Sequence, residues 1–479
     1  MSSVIRDATE SVHWDEEVDV LVIGLGVAGA AAALEASSLG ADTLVLERAG
    51  AGGGTSAMSG GVVYLGGGTG LQKACGFEDS AEEMFKYLMA STGLSPDEAK
   101  IRLYCEGSVD HYDWLCAQGV PFKQSYHHGT SGEPPTDDGL VWSGAENVHP
   151  FREIARPAPR GHVPQVEHQG GPLLMEKLCA AVDASPARVA ANHRCTALYQ
   201  KSDGEIQGVA ARCFGEERRI RARGGVILTT GGFVLNDEML LNHAPLALRC
   251  GMRVAATGDD GSGIRLGVAA GAATIHMDAI SISLPITQPW TLKRGILVNR
   301  QGQRFINEDT YYGRLGEAAL LHQDGHAFLV VDDGTFEKPE YMEAIAGVGE
   351  SPEELEQALK LPPGSLQATL DLYNRHAENA SDPLFHKSAD YLECLDRPPY
   401  GAFDCTTEKA LYAVFTLGGL QTDTEGRVLD PEGDPLNGLF AAGRSTSGIA
   451  VGGYSSGLSL GDGSFFGRRA GRTAASFRK

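Results

Sequence analysis

No run of about 18 apolar residues, the length a membrane-spanning helix needs, occurs in this 479-residue sequence, so no transmembrane segment is expected. Basic residues are also short. Forty Lys and Arg stand against 62 Asp and Glu, a formal net charge of −22. Nucleic acids and anionic membrane surfaces recruit basic faces, so neither is expected as a partner. The nine cysteines include no Cys-x-x-Cys pair. Their odd number and scatter predict reduced, mostly buried thiols in a cytoplasmic protein rather than a disulfide framework. Residues 1–17 are polar and acidic and lack the apolar core of a signal peptide. His127, His128, His149, His162 and His168 share no helical metal-ligand spacing and no cysteine neighbour, so no metal site is predicted.

Glycine is abundant, at 62 residues, and its placement carries the information. The apolar run Val18–Ile23 leads into Gly24-Leu25-Gly26-Val27-Ala28-Gly29, then an alanine-rich helix pattern, then Thr43-Leu44-Val45-Leu46 ending on Glu47. A GxGxxG between a strand and a helix, with an acid about 20 residues on, is the fingerprint of dinucleotide binding. Gly24 permits the turn, Gly26 lets backbone approach a pyrophosphate, and Gly29 lets the helix close on the sheet. The helix N-terminus offers N–H groups to the phosphates, and Glu47 is placed to accept from a ribose.

After Glu47 the chain does not continue into further alternating strands and helices. It enters Ala49–Gly61, a segment rich enough in glycine to wrap closely around a long ligand. Two later strands also end in glycines, Val226–Gly232 and Gly438–Gly443, so segments from both ends of the chain are expected to return to one cofactor. Residues 80–118 read as helical, with Ser80 as N-cap and Glu83 three residues on. Residues 188–223 read as short strands with Asp203-Gly204 as a turn, and 352–360 and 365–377 as helices. Residues 123–170 give no clear pattern. The stretch Ile280–Ile286 with Trp290 is a candidate wall for an apolar substrate cavity, or else ordinary strand and core.

Taken in order, Gly24–Gly29, Glu47, Ser59-Gly60-Gly61, Thr230-Gly231-Gly232, Thr257–Gly261, Arg304–Glu308, Leu417–Asp423 and Leu439–Gly443 resemble the FAD-dependent flavoproteins of fumarate reductase/succinate dehydrogenase type, which include the 3-ketosteroid dehydrogenases. The resemblance implies an α/β fold: a Rossmann-like, glutathione-reductase-type FAD domain in two pieces, 1–275 and 401–479, with an inserted α+β catalytic domain at 276–400. It implies cofactor contacts from Gly24, Gly26, Ala28, Gly29, Glu47, Arg48, Gly54, Thr55, Ser59, Gly60 and Gly61. Further contacts are implied from Ala197, Thr230, Gly231, Gly443, Arg444, Gly457, Leu458 and Ser459, and His168–Gly171 is expected near the flavin. Arg444 departs from the relatives, which commonly carry Glu there. No histidine lies between Gly50 and Gly61, where covalent members place one, so FAD is expected to be held non-covalently.

Dicarboxylate reductases of this group hold substrate with arginines and a histidine, because a carboxylate wants a cationic, bidentate partner. Here Phe415 stands at the histidine position, and Tyr454-Ser455-Ser456-Gly457 stands where a final arginine is usual. The pattern is most similar to the 3-ketosteroid Δ4-(5α)-dehydrogenases, which implies Tyr454, Ser456 and Tyr311 as the catalytic set, with Tyr312 as the alternative to Tyr311. The expected reaction removes a C4 proton and a C5 hydride from a small apolar ketone, a 5α-3-ketosteroid; the electron acceptor stays unassigned. A Δ1-dehydrogenase and a fumarate- or urocanate-type reductase remain as alternatives, as does a flavin-binding redox sensor without turnover.

Overall fold

The computed structural model describes residues 4–8, 12–129, 134–286, 288–341 and 344–477, so part of the N-terminal segment read above lies outside the described residues. Its largest sheet is built around Glu16–Ile23, whose inner residues Val18 to Ile23 are almost all fully buried. Thr43–Leu46 and Glu216–Leu228 flank it in parallel, and Arg188–Ala190 and Pro435–Ala441 extend the parallel core on either side. The central stretches Val20–Ile23, Leu44–Leu46 and Val226–Leu228 are continuous buried apolar runs, as expected where helices or loops cover both faces.

Glu216–Leu228 serves two layers. Its first half pairs antiparallel with Ile206–Cys213, and its register shifts between Ala222 and Gly225. Its second half then runs parallel between Glu16–Ile23 and Pro435–Ala441. The antiparallel half, with Arg194–Gln200 and Ile206–Cys213, forms the meander predicted by the Asp203-Gly204 turn, where Gly204 has φ of 89°.

The final helix, Leu458–Ser476, lies against the fingerprint helix, Val27–Ser38. Gly463, Gly467 and Gly471 recur every four residues and form one face. A Cβ at Gly467 or Gly471 would run into the carbonyl oxygen of Ala28 or Ala32, so the two backbones touch directly. The helix begins just after Tyr454 and Ser456, so this contact brings the C-terminal segment to the dinucleotide turn.

A four-stranded antiparallel sheet takes Ile296–Val298, Phe328–Asp332, Tyr400–Asp404 and Ile345–Gly349 in that spatial order. Helices Pro352–Leu359 and Ser365–Ala377 cover it through Leu355, Leu366, Leu370 and Tyr373. A smaller sheet joins this part to the rest: Ile280–Ser283 pairs antiparallel with Ala413–Thr416, which also pairs with Met252–Arg253. Residues 80–118 form two helices, Ala81–Ser91 and Glu98–Ala117, with the Ser80 hydroxyl accepting from the Glu83 N–H at 3.2 Å. The patternless stretch 123–170 holds only short pieces, including Leu140–Val141, Phe151–Ile154 and Gly161–His162. Among the described residues no helix is long and apolar enough to cross a membrane, and no group of three or more His, Cys, Asp or Glu is placed to hold a metal. All nine cysteines are free. Only Cys105, Cys195, Cys250 and Cys405 are buried, fewer than the sequence predicts.

The helix contact gives a direct test. Gly467→Ala should destabilise the protein by about 1–3 kcal/mol, as overpacking does. Gly251→Ala should be close to neutral, since nothing lies within 4 Å of a Cβ there. Thermal denaturation of both variants checks this.

Candidate active site

One long cavity of about 570 Å³ runs from the fingerprint turn to the junction with the smaller sheet. Its inner end is backbone. Gly24 has φ of +104°, and a Cβ there would sit 2.6 Å from the Thr229 carbonyl oxygen. Gly26 differs: a Cβ would meet only Ser56 Oγ at 3.4 Å and Gly53 O at 4.0 Å. Protein packing therefore does not require glycine at 26, whereas a ligand seated against that backbone would. This fits a pyrophosphate. Gly29 faces the strand instead, where a Cβ would collide with Gly24. The Glu47 carboxylate, 8% exposed, accepts from the N–H groups of Leu25 and Ala49, each at 2.8 Å, and faces the cavity.

Ala28, Arg48, Gly54, Thr55, Ser59, Gly60, Gly61, Thr230, Gly231, Gly443, Gly457 and Ser459 all reach the same wall. Asp259 ties three of these segments together. Its carboxylate accepts from Gly232 N–H at 2.8 Å and Thr55 Oγ1 at 2.9 Å, and pairs with the Arg444 guanidinium. Arg444, the residue that departs from the relatives, is thus neutralised, and it lies 5.3 Å from the centre of the Phe415 ring. The sequence placed Asp259 in a motif but gave it no partner.

Two placements differ from the sequence reading, and Ile280–Ile286 follows mainly its core alternative. Ala197 does not reach the cavity: its side chain packs with Tyr199 and Ala210 in the meander, and His193, Arg194 and Cys195 form the wall. Leu458 is buried and lines a small neighbouring cavity with Ser459, Arg444 and Asp462. In Ile280–Ile286 the isoleucines and Leu284 face the core, and Ser283 and Pro285 line the cavity. Trp290 is 47% exposed and lies edge-on to Tyr391. Of His168–Gly171, Gln169 reaches the wall, while Gly170 and Gly171 donate to Gly60 and Ser59.

The outer end gathers Tyr311, Tyr312, Tyr454 and Ser456 among Met252, Val254, Leu411, Ala413 and Phe415. Ser456 Oγ lies 2.9 Å from Tyr311 Oη and 2.6 Å from Tyr312 Oη. Tyr311 precedes the helix Tyr312–Glu317 and Tyr312 opens it, so neighbouring residues reach one hydroxyl. This turn is pinned by Arg304, which binds Glu308 through two hydrogen bonds at 2.9 and 2.8 Å and reaches Asp382 at 2.9 and 3.1 Å. Burial opposes ionisation of Glu308, but Arg304 and Lys387 hold its carboxyl below the usual range. Arg314, in the segment where a dicarboxylate reductase would need a cation, instead lies 4.8 Å from the centre of the Phe151 ring.

Tyr454 Oη accepts from the Ser459 N–H at 3.0 Å, in the first turn of the final helix. That leaves the phenolic proton free to donate. Burial raises the Tyr454 pKa, while the Ser459 contacts oppose the rise. Burial likewise lifts Tyr311 well above the ordinary phenol value. Both stay neutral at physiological pH. Among the described wall residues of this outer end, the one cation is Arg444, and it is already paired.

The FAD binding domain family matches residues 19–459. The chain belongs to this family, the FAD-dependent oxidoreductases of fumarate reductase/succinate dehydrogenase type. The crystal structure of 3-ketosteroid-Δ4-(5α)-dehydrogenase from Rhodococcus jostii RHA1 in complex with 4-androstene-3,17-dione is similar at 47% identity, with a TM-score of 0.93 over 98% of this chain and 99% of that one. The 3-oxo-5-alpha-steroid 4-dehydrogenase of Comamonas testosteroni is 28% identical over 91% of this chain and 94% of its own length. The open form of a flavocytochrome c3 fumarate reductase is more distant, at 25% identity and a TM-score of 0.68, covering 97% of this chain and 79% of that one.

FAD is the cofactor, and the cradle makes a specific demand on position 26. Gly26→Val should leave the fold intact and abolish FAD retention, because the new side chain enters the space left for the pyrophosphate. The flavin absorbance of the purified protein and its melting temperature read the two effects separately.

Proposed function

We propose that the protein is an FAD-dependent 3-ketosteroid Δ4-(5α)-dehydrogenase, converting 5α-3-ketosteroids to 4-ene-3-ketosteroids. The observation that carries this reading is the outer end of the cavity, where neutral hydroxyls stand among apolar side chains. The likeness to the Rhodococcus jostii and Comamonas testosteroni enzymes supports it. A dicarboxylate would meet no unpaired cation among the described residues there, which argues against fumarate as substrate. The same reading takes 276–400 as the inserted catalytic domain, with its closing strand continuing to Asp404.

FAD, when bound, supplies the hydride acceptor. The residues of this chain handle the proton and the developing charge. Tyr454 donates to the ketone oxygen and stabilises it as it becomes enolate-like, the logic of an oxyanion hole. The N–H of Gly457, a residue of the same cavity wall, serves as a second donor. Ser456 takes the C4 proton. A serine hydroxyl is too weak a base alone, and Tyr311 and Tyr312 share its proton. The absence of histidine from 50–61, and the position of the wall histidine His193 next to Glu47 at the ribose end, support non-covalent FAD.

Saturated 5α-3-ketones should bleach the flavin anaerobically and yield 4-ene products, with succinate inert; efficient turnover of succinate or fumarate contradicts the assignment. Acid precipitation should release the flavin into the supernatant, and flavin staying with the pellet would show a covalent link. Tyr454→Phe should keep FAD and lose ~10²–10³ in rate. Ser456→Ala should bind product normally and slow flavin reduction. Tyr311→Phe and Tyr312→Phe each leave Ser456 one phenol, so the double variant should lose more than the product of the single losses.

A further inference from the structure

Behind Tyr311 and Tyr312, on the side away from the main cavity, lies a recess of about 40 Å³ lined in part by Asn147, Gln288, Lys293, Asp309 and Tyr391. The two tyrosines, with Pro285 and Gln288, form the wall between the recess and the main cavity. The recess is polar and large enough for one or two waters. Lys293, 7% exposed, is one of its lining residues. It donates to the Asp309 carbonyl oxygen at 3.0 Å and lies 5.3 Å from the centre of the Tyr391 ring. An ammonium has three donor positions, and this carbonyl takes one of them. Among the described residues no carboxylate lies within ion-pair distance of this amine, unlike Lys387, which sits 3.3 Å from Glu308.

We propose that Lys293 is the terminal acceptor of the proton taken from the substrate, reached from Ser456 through Tyr311 or Tyr312 and water in the recess. The inference rests on the ketone-dehydrogenation reading above. The C4–H bond breaks, and its electron pair becomes the C4–C5 double bond as hydride leaves C5 for FAD. The proton goes to Ser456 Oγ, the serine proton to a tyrosine oxygen, and the tyrosine proton through water to the neutral lysine amine, which becomes ammonium. The steroid is oxidised and FAD reduced, and the amine later returns its proton to solvent.

The surroundings suit an amine that changes charge. Burial lowers the Lys293 pKa to about 8, with Asp309 opposing and Lys387 assisting. Asp309 faces it from the 307–310 turn, with its carboxylate engaged by Asn307 and Ser388. Lys387 approaches from the following segment, tied to Gly295 O and Glu308. Tyr391, Tyr311 and Tyr312 complete the groups around the recess.

The test is anaerobic single-turnover flavin reduction by a 5α-3-ketone, followed from pH 6 to 9.5 in the wild type, Lys293→Met and Lys293→Arg. Binding of the 4-ene product is followed through the flavin spectrum. The wild-type rate should climb by close to tenfold per pH unit below about 8 and then level, as the neutral base forms. Both variants should bind product as the wild type does, lose that limb, and react at least about tenfold more slowly at pH 8.5. Arginine keeps the charge and bulk but cannot give up its proton. A Lys293→Arg enzyme of wild-type rate would reduce the lysine to a fixed charge and overturn the proposal, as would an unchanged pH limb in Lys293→Met. If Lys293→Met fails to retain FAD, the Lys293→Arg profile decides alone. A wild type that no 5α-3-ketone reduces at any pH is a different failure, that of the underlying reading.

Discussion

The backbone-to-backbone contact between the fingerprint helix and the final helix is the constraint on which the rest of the site depends. Gly463, Gly467 and Gly471 let the two helices approach until peptide groups touch. That closeness brings residues from the far end of the chain, Tyr454 to Ser459, against a cradle made by residues 24 to 61. The same helix N-terminus polarises Tyr454 through the Ser459 N–H. One packing contact therefore joins the cofactor cradle to the outer end of the cavity.

Charge is managed by pairing. Arg304 is buried with Glu308 and Asp382, the partly buried Arg444 pairs with Asp259, and the exposed Arg48 pairs with Asp260 at 2.9 Å. Breaking the fully buried Arg304 cluster is costly, because the surviving partners are left uncompensated. These pairs hold the turn that carries Tyr311 and Tyr312 and the loops that cradle the cofactor. The outer cavity is left to hydroxyls and apolar groups. A family that also holds dicarboxylate reductases can thus present a neutral site on the same fold.

Local patterns were readable from the sequence wherever the physics is local. The turn at Gly24–Gly29 and Glu47 follows from spacing alone, and the Ser80 cap and the 352–360 and 365–377 helices follow from periodicity. What depends on distant partners was not readable. Asp259 acts through residues 55, 232 and 444, and no one-dimensional pattern joins those positions. Ile280–Ile286 has an apolar strand pattern, but the sequence does not say which parity faces the cavity; Ser283 does, and the isoleucines fill the core. The choice between Tyr311 and Tyr312 was undecidable because both reach Ser456 from adjacent positions at a helix start. Lys293 carried no signal in the sequence, since its burial comes from segments about 15 to 100 residues away.

The central claim is that neutral donors on the C-terminal segment orient a ketone over the flavin. A crystal structure of the FAD-loaded protein with a bound 4-ene-3-ketosteroid tests this most directly. The account predicts the ketone oxygen within hydrogen-bonding distance of Tyr454 Oη and the Gly457 N–H, with C4 facing Ser456 Oγ. A ketone oxygen held by Arg444, or a steroid whose C4 lies away from Ser456, would contradict it.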